Sequence, residues 1–296
     1  MKEKTKNSIQ IITLNYIGAL IPLFLYGIYK NGIILYQKNY FSILDILLLI
    51  FIPISGFLIG LLVEYLFTKD EITNILKNSF LPLYGLLAGF IINPNINILL
   101  FLIIVFIGLS FVKILSKEKK LVANPVAIIK TIFIIVLVIL GKNLYQNNYE
   151  YDVSMALSLT DVIFGKGISG LFTSNIFLIL IALVFLSFTK LYKKEIPLYM
   201  ISSFALVTTI ISIIINDNIN ILLNIFNSTF FFGAVFIAPL IITSTYTKKG
   251  KIVYGVILGI ICSFLTMFIS KFDGVFISIL LVSITVKFID NFFELK

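Results

Sequence analysis

The amino-acid sequence predicts an all-α polytopic membrane protein with about ten transmembrane helices in two inverted five-helix repeats. Hydrophobic residues make up 59% of the 296 residues, charged residues only 12%, and the mean hydropathy is +1.09. One soluble core of this size cannot bury so much apolar surface, so we expect the excess to face lipid. The apolar residues are grouped into long stretches, and the lysines between those stretches are distributed unevenly.

Ten apolar stretches are long enough, or nearly so, to cross about 30 Å of hydrocarbon. Several are short or contain a proline, at Pro22, Pro53, Pro82 or Pro239, which favours broken helices. The stretches cover residues 10–29, 43–67, 79–93, 97–115, 124–142, 174–189, 197–216, 226–242, 252–269 and 275–292.

The lysines predict the orientation. With a cytoplasmic N-terminus, seventeen lysines, among them Lys193, fall on the cytoplasmic side and five, among them Lys30, on the outer side. Lys130 stays in the membrane. This places both termini in the cytoplasm, and no cleaved signal peptide is expected. The net charge of +9 therefore reflects topology, and we expect membrane lipid rather than nucleic acid as a partner.

Two short stretches are alike. Tyr84-Gly85 is predicted to open a short helix that ends in Asn93-Pro94-Asn95, and Phe232-Gly233 one that ends in Thr243-Ser244-Thr245. Broken helices with polar ends are typical of inverted-repeat membrane proteins, whose sites lie near the bilayer midplane.

The last helix of each half begins at a predicted cap. Asn124-Pro125 is an N-cap followed by proline at the first helical position, and Asp273-Gly274 is a similar start. The lysine count puts these two caps on opposite sides, as five helices per half require. We predict a first repeat over residues 1–142, an extracytoplasmic loop over 143–173 and a second repeat over 174–296.

Composition excludes several kinds of site. The single cysteine, Cys262, and the absence of histidine exclude a disulfide framework and a cysteine-ligated metal centre within one chain. No phosphate-binding loop or catalytic triad is present. Any redox chemistry would come from a bound cofactor or from partner subunits.

Lys130 is the strongest single candidate for a functional residue, because it lies about one and a half turns inside an apolar span. It could pair with a carboxylate or a phosphate inside the bundle, or its side chain could extend to the membrane surface. Glu64, at one end of the second span, could likewise be solvated at the interface or take part in ion coupling.

The C-terminal stretch carries a recognisable pattern, FFGAVFIAPLIITSTYTKKG followed by KFDGVFISILLVSITVKFID. It resembles the D subunit of the Rnf (Rsx) electron transport complex and the related B subunit of the sodium-pumping NADH:quinone reductase. The matching positions are Phe232, Gly233, Ala234, Phe236, Ala238, Thr243, Ser244, Thr247, Gly250, Gly255, Gly259, Asp273, Gly274, Val275, Ile289 and Asp290.

Further matches lie upstream in the same order. Glu64-Tyr65-Leu66 resembles the family's E-Y-L, and Gly85-Leu86-Leu87 with Asn93-Pro94 resembles its G-L-L and L-P-P. Asn124-Pro125 with Lys130 resembles N-P-A-x-x-A-R, with lysine in place of arginine.

The resemblance implies an integral subunit of a complex that couples electron transfer from ferredoxin or NADH to ion movement, rather than a stand-alone enzyme. The other complex subunits would be its partners. The family carries FMN on a threonine of an outer S-G-A-T motif and can hold a second flavin among its helices. Here that position reads Ser154-Met155-Ala156-Leu157, and leucine has no hydroxyl to carry a phosphoester. Covalent FMN is therefore not expected, and any FMN or riboflavin would be bound non-covalently.

Other motifs that the family uses around its cofactors are also altered in this chain. Its T-D-P becomes Pro239-Leu240-Ile241, and its G-E-T-S survives as Phe172-Thr173-Ser174. We predict that the residues available to a cofactor are Lys130, Asn124, Ser154, Thr173, Thr243, Ser244 and Asp273. For Thr243, Ser244 and Asp273, the alternative to cofactor binding is a structural role in helix capping. Two alternatives to a redox subunit are a secondary transporter or channel on the same scaffold, and a structural remnant that only holds a complex together.

Overall fold

The computed structural model describes residues 2–93, 97–117, 123–140, 158–167, 169–215 and 221–294, with the side chains of residues 2–8 and 116–117 left aside. The described residues form helices joined by short turns, and no strand occurs among them, which confirms the all-α prediction for that part of the chain. The helices are α1 Lys2–Ile28, α2 Ile34–Gln37, α3 Ile43–Thr68, α4 Ile72–Asn78, α5 Leu81–Phe90, α6 Ile98–Lys117, α7 Pro125–Ile139, α8 Leu159–Ile163, α9 Ile176–Ser187, α10 Glu195–Ile214, α11 Ile221–Ile225, α12 Ser228–Phe232, α13 Lys248–Phe268, α14 Gly274–Ile284 and α15 Val286–Glu294.

Five helical segments of the described chain are long and apolar enough to cross a membrane, and the bent pair α14–α15 makes a sixth. The chain is therefore a multi-pass membrane protein. The five segments are Ile9–Gln37, Ile43–Thr68, Ile98–Leu115, Glu195–Ile214 and Lys248–Phe268.

Four shorter apolar segments match the remaining predicted spans: Leu81–Phe90, Pro125–Ile139, Ile176–Ser187 and Ile221–Ile237. At 1.5 Å per residue, the ten residues of α5 reach only about half of the distance across the hydrocarbon. Ten spans and an inverted repeat therefore stay predictions.

The chain divides into two compact units. Unit 1 comprises Met1–Leu121, Ile128–Ala156 and Ile168–Thr173. Unit 2 comprises Val122–Ala127, Leu157–Gly167 and Ser174–Lys296. The start of α7 thus belongs to unit 2 and the rest of that helix to unit 1.

In unit 1, the short helix α5 packs against α3 with almost no side chain between them. A Cβ atom at Gly85 would clash with the carbonyl oxygen of Gly56, and one at Gly89 would meet the backbone of Pro53 at 2.5 Å. Only glycine permits so close an approach of two helices. Gly85 and Gly89 therefore lie at the contact between α3 and α5.

In unit 2, α10 and α13 form the main helix pair, and α14 also packs against α13. Gly255 and Gly259 of α13 face Ile196, Met200 and Ser203 of α10. The ring of Phe204 on α10 stacks on that of Phe230 on α12, with a centroid distance of 3.7 Å.

Two helices contain a π-helical turn, over Tyr29–Ile33 and over Gly233–Ile237. The first buries the side chains of Lys30 and Asn31. The second directly continues α12 and leads into a 3-10 turn over Ile241–Thr243. Such turns occur often at functional sites, because they change the direction of helix carbonyls.

The predicted starts of the two short helices are wrong by several residues. The first helix begins at Leu81, with Pro82 in its first turn, so Tyr84-Gly85 lies in its middle. The second begins at Ser228, where the Asn227 side chain accepts from the backbone N–H groups of Thr229 and Phe230. The aromatic-glycine pairs mark helix contacts and a π turn, not helix starts.

Candidate functional site

The end of α5 in unit 1 is the first polar break. The carbonyls of Phe90 and Ile92 accept hydrogen bonds from the backbone N–H groups of Phe172 and Leu171, at 3.1 and 2.7 Å. A helix end leaves several carbonyls without an intrahelical partner, and here an extended segment supplies the donors. Asn31 holds that segment in place, because its side-chain amide donates to the carbonyl oxygen of Leu171.

Lys130 lies at this same break. Its side chain is only 5% exposed, and its Nζ donates to the carbonyl oxygen of Ile91 at 3.4 Å. The lysine is enclosed by protein, which argues against a side chain that extends to the membrane surface. This hydrogen bond goes to a helix-end carbonyl rather than to a carboxylate.

Thr173 follows the extended segment and is completely buried. Its hydroxyl makes no hydrogen bond with the described residues, and the same is true of Ser174, the next residue, which belongs to unit 2. Buried hydroxyls usually find a partner. Thr173 therefore stays a predicted ligand-binding residue of unit 1.

The second polar break follows the π turn of unit 2, and Asn124 is attached to it. The side-chain amide of Asn124 donates to the carbonyl oxygen of Ile237 at 2.9 Å and to the Thr243 hydroxyl at 3.2 Å. Its side-chain oxygen accepts from the N–H groups of Val126 and Ala127, which confirms the predicted N-cap of α7. One asparagine thus joins the start of α7 to the broken helix.

Lys193, in the short turn before α10, completes this break. Its Nζ donates to the carbonyl oxygens of Ile241 and Ser244, at 3.0 and 2.7 Å, and to the Ser244 hydroxyl at 2.8 Å. Tyr192, its neighbour, donates its hydroxyl to the carbonyl oxygen of Val235 at 2.8 Å. The lysine count placed Lys193 among the ordinary cytoplasmic lysines, and sequence reasoning missed both sets of contacts.

The buried surroundings of Lys193 disfavour the protonated form of its amine. Burial lowers the pKa of its amine to about 8, with a further lowering by the nearby positive charge of Lys251, while the carboxylate of Asp290 acts in the opposite direction. Removing an ammonium from water disfavours its charged form. Lys193 is therefore a cation that can release its proton under mildly alkaline conditions.

Asp290 fixes the next stretch of chain. Its carboxylate accepts from the backbone N–H groups of Tyr246 and Thr247 and from the Thr247 hydroxyl, at 3.1–3.4 Å. Thr247 in turn caps the start of α13. The sequence offered a signal for Asp290, since it is the last residue of the matching C-terminal pattern.

Asp273 occupies the N-cap position of α14, but the predicted cap is wrong, because its carboxylate makes no capping bond there. The carboxylate instead accepts from the hydroxyl of Ser270, at 3.4 Å. The backbone at Asp273 is helical rather than extended, so the side chain does not point back at the first N–H groups of the helix.

Ser154 and Leu157, the positions of the family's flavin-attachment motif, lie outside the described residues. Of the other predicted site residues, Asn124, Thr243, Ser244 and Asp273 belong to unit 2, and Lys130 and Thr173 to unit 1. Asn124 and Thr243 contact each other directly, and Ser244 contacts Lys193.

Three of the predicted cofactor-binding side chains of unit 2 are already bound to protein partners. The Asn124 amide, the Thr243 hydroxyl and the Ser244 hydroxyl are engaged with protein partners, so an isoalloxazine edge would have to displace existing hydrogen bonds. Two cavities, of about 340 and 500 Å³, are lined by none of the predicted site residues.

Glu64 pairs with Lys113 across unit 1. The distance between Lys113 Nζ and Glu64 Oε1 is 2.6 Å, and the Glu64 side chain is 9% exposed. A buried pair of this kind holds α3 and α6 in register, and removing either partner is strongly destabilising. The contact favours neither a solvated carboxylate nor an ion-coupling one.

Comparison with known proteins places these features in a family. The sequence profile of the NQR2, RnfD, RnfE family matches residues 119–296, more than half of the chain. The matched region contains Asn124, the broken helix of unit 2, Lys193 and Asp290.

Two curated relatives are each named as the D subunit of an ion-translocating oxidoreductase complex. The protein of Actinobacillus pleuropneumoniae serotype 5b is 28% identical over 129 residues, which are 42% of this chain and 37% of that protein. The protein of Methanosarcina acetivorans is 33% identical over 111 residues, 38% of this chain and 36% of that protein. The chain thus aligns with little more than a third of the length of the curated relatives it matches.

Proposed function

Because this chain belongs to the NQR2, RnfD, RnfE family, we propose that it is an integral membrane subunit of an ion-translocating oxidoreductase complex of the Rnf type, linked to ferredoxin or NAD. The observation that carries the proposal is the family match over residues 119–296, which covers the capped α7 and the whole broken helix of unit 2. The names of the relatives support the same function, and the other subunits of such a complex are its proposed partners.

The proposed architecture is ten transmembrane helices in two inverted five-helix repeats. Ten apolar helical segments support it, if the bent α14–α15 pair counts as one span and each of the four shorter segments as another. The lysine distribution supports cytoplasmic termini in a bacterial cytoplasmic membrane.

The residues at the two polar breaks indicate a role in ion passage. Helix carbonyls without intrahelical partners lie at the end of α5 and after the π turn of unit 2, where each set is contacted by a buried lysine. Unwound carbonyls at the ends of broken helices are groups that coordinate ions in membrane transport proteins. The subunit would contribute the scaffold and part of the ion path.

We propose further that no FMN is attached at residue 157, because leucine has no hydroxyl. FMN or riboflavin, where bound, would be held non-covalently. The test is flavin fluorescence of the denatured protein in a gel, with a relative that retains the threonine as the positive control. A fluorescent band from this chain, with a flavin-bearing peptide covering residues 152–160, would refute this proposal.

A secondary transporter or channel without redox chemistry is the second candidate. The oxygens around Lys193 favour it, because they constitute a polar group of helix-end atoms that needs no cofactor. Absorption spectra of gently purified protein distinguish the two functions. A stoichiometric flavin excludes a pure transporter.

The main proposal is tested with inverted membrane vesicles from a host strain that lacks this chain. We expect that oxidoreductase-driven uptake of Na⁺ or H⁺ is absent and that the wild-type chain restores it. Unchanged electron-driven uptake in the deletion strain would contradict the proposal.

A further inference from the structure

The Lys193 ammonium is surrounded as a cation in a binding site would be. Three oxygen atoms lie within 3.0 Å of Nζ, two of them carbonyl oxygens and the third a hydroxyl oxygen. A lysine that merely caps a helix needs one such contact. Lys130, at the other break, donates to the carbonyl oxygen of Ile91 over a longer distance, 3.4 Å.

The Ser244 hydroxyl is oriented for a cation by a second bond. It donates its only proton to the carbonyl oxygen of Leu240 at 2.8 Å. The oxygen therefore turns its lone pairs toward Lys193 Nζ and acts purely as an acceptor. All three oxygens around Nζ are thus acceptors, as the ligands of an alkali cation must be.

The position of the three oxygens in the fold adds to their affinity for positive charge. Ile241 and Ser244 directly follow a broken helix, where the carbonyl ends of the peptide dipoles are not used inside the helix. The site is enclosed, because Lys193 is only 9% exposed and Ser244 only 4%. Asp290 contributes negative charge nearby, and Lys251 positive charge.

We propose that the carbonyl oxygens of Ile241 and Ser244 and the Ser244 hydroxyl form a binding site for a monovalent cation, and that the tethered ammonium of Lys193 fills it. An alkali cation takes this place when the ammonium is removed. The proposal stands on the geometry of unit 2 alone and does not rest on the proposed electron-transfer function. Since K⁺ and ammonium have similar radii, K⁺ fits the site as it stands, whereas Na⁺ requires the oxygens to move inward.

The test uses the full-length Lys193→Ala variant in lipid nanodiscs. The single cysteine, Cys262, is completely buried in α13, so a thiol-reactive dye reports the melting temperature of unit 2. Melting is followed in the chlorides of K⁺, Na⁺, ammonium and the bulky cation N-methyl-D-glucamine, at equal ionic strength.

We expect Lys193→Ala to melt several degrees below the wild type in N-methyl-D-glucamine chloride and to regain most of this loss in K⁺ or ammonium. The matched control is Lys194→Ala, which removes an exposed lysine next to Lys193 and should respond equally to all four salts. A second variant combines Lys193→Ala with Ser244→Ala and thus removes one ligand. The K⁺ concentration that gives half of the maximal stabilisation should then rise by about tenfold or more.

Equal melting temperatures of Lys193→Ala in all four salts would overturn the proposal. If this variant does not fold, the wild type itself provides the test. At about pH 9.5 the amine is mostly neutral, and K⁺ should stabilise the protein more than N-methyl-D-glucamine does; at about pH 6.5 the two salts should act alike. The Lys251→Gln variant, measured in the same way, controls for the positive charge next to Lys193. Identical salt responses at both pH values would again overturn the site.

Discussion

The two units close the ends of their broken helices in different ways. In unit 1, backbone N–H groups of Leu171 and Phe172 satisfy the carbonyls of Ile92 and Phe90 at the end of α5. In unit 2, the side chains of Tyr192, Asn124 and Lys193 donate to the carbonyls of the broken helix. The two breaks thus differ in the use of main-chain donors in unit 1 and of side-chain donors in unit 2.

The helix packing does not share this contrast. A Cβ at Gly85 would meet the backbone carbonyl of Gly56, and a Cβ at Gly259 would meet the backbone of Met200 as well as the side chain of Ser203. The two units therefore differ in how their breaks are closed, and the following substitutions test the packing and the closure separately.

The largest effect is expected from Gly85→Ala. The added Cβ would overlap the carbonyl oxygen of Gly56, so α3 and α5 must separate, at a cost of more than about 3 kcal/mol. Size-exclusion chromatography after heating measures the loss of folded protein. Gly32→Ala is the control, because its Cβ would lie 3.4 Å from the Ile46 side chain, an ordinary contact. Equal stability of the two variants would contradict the close approach of α3 and α5.

Lys193→Met should destabilise the protein more than Lys194→Met. The first leaves three buried oxygens without the lysine donor and should cost about 2–4 kcal/mol, whereas Lys194 is exposed and its replacement should cost less than about 0.5 kcal/mol. The comparison is made in N-methyl-D-glucamine chloride, where no small cation can replace the ammonium. An equal loss in the two variants would contradict side-chain closure of the break in unit 2.

Asn124→Asp separates two roles of one side chain. Aspartate keeps the cap of α7 but cannot donate to the Ile237 carbonyl or to the Thr243 hydroxyl, so we expect a loss of about 1–3 kcal/mol. Asn124→Ala loses the cap as well, and a further loss of about 1 kcal/mol should follow. Thermal melting with the Cys262 dye measures both steps. If Asn124→Asp melts like the wild type, the bonds to the broken helix do not stabilise unit 2.

The smallest effect is a pH dependence of stability in unit 2. The pKa of Lys193 is about 8 in the folded protein, below the ordinary value of 10.5. Between these values the unfolded chain binds more protons, so stability should rise with pH, by less than about 1.4 kcal/mol per pH unit. The difference in melting temperature between the wild type and Lys193→Met isolates this slope. If the wild type instead loses stability relative to Lys193→Met as the pH is raised from about 8 to about 10, the charged amine is the form that the fold stabilises.

Sequence reasoning found what depends on local patterns. Long apolar stretches predicted the helical segments. Asn124-Pro125 predicted a cap that the structure confirms, because a cap involves only neighbouring residues. For Lys130 the sequence left a buried side chain and one that extends to the membrane surface as alternatives, and the structure shows the buried one.

Sequence reasoning missed what depends on distant contacts. Lys193 lies in the run Lys190–Lys194, where nothing local separates a buried lysine from its exposed neighbour, and its partners are about fifty residues away. Lys30 was counted on the outer side, yet a π turn buries it. The Asp273 cap failed because the backbone there is helical, which the sequence does not reveal.

Co-purification from membranes of its own host tests most directly whether this chain is a subunit of an ion-translocating oxidoreductase complex. A tag on the full-length chain, mild detergent and mass spectrometry identify what remains attached. We expect the other subunits of the complex in fixed stoichiometry with the chain, at both low and moderate salt. A chain that purifies alone as a single species, under conditions in which a related complex stays intact, would contradict the assignment.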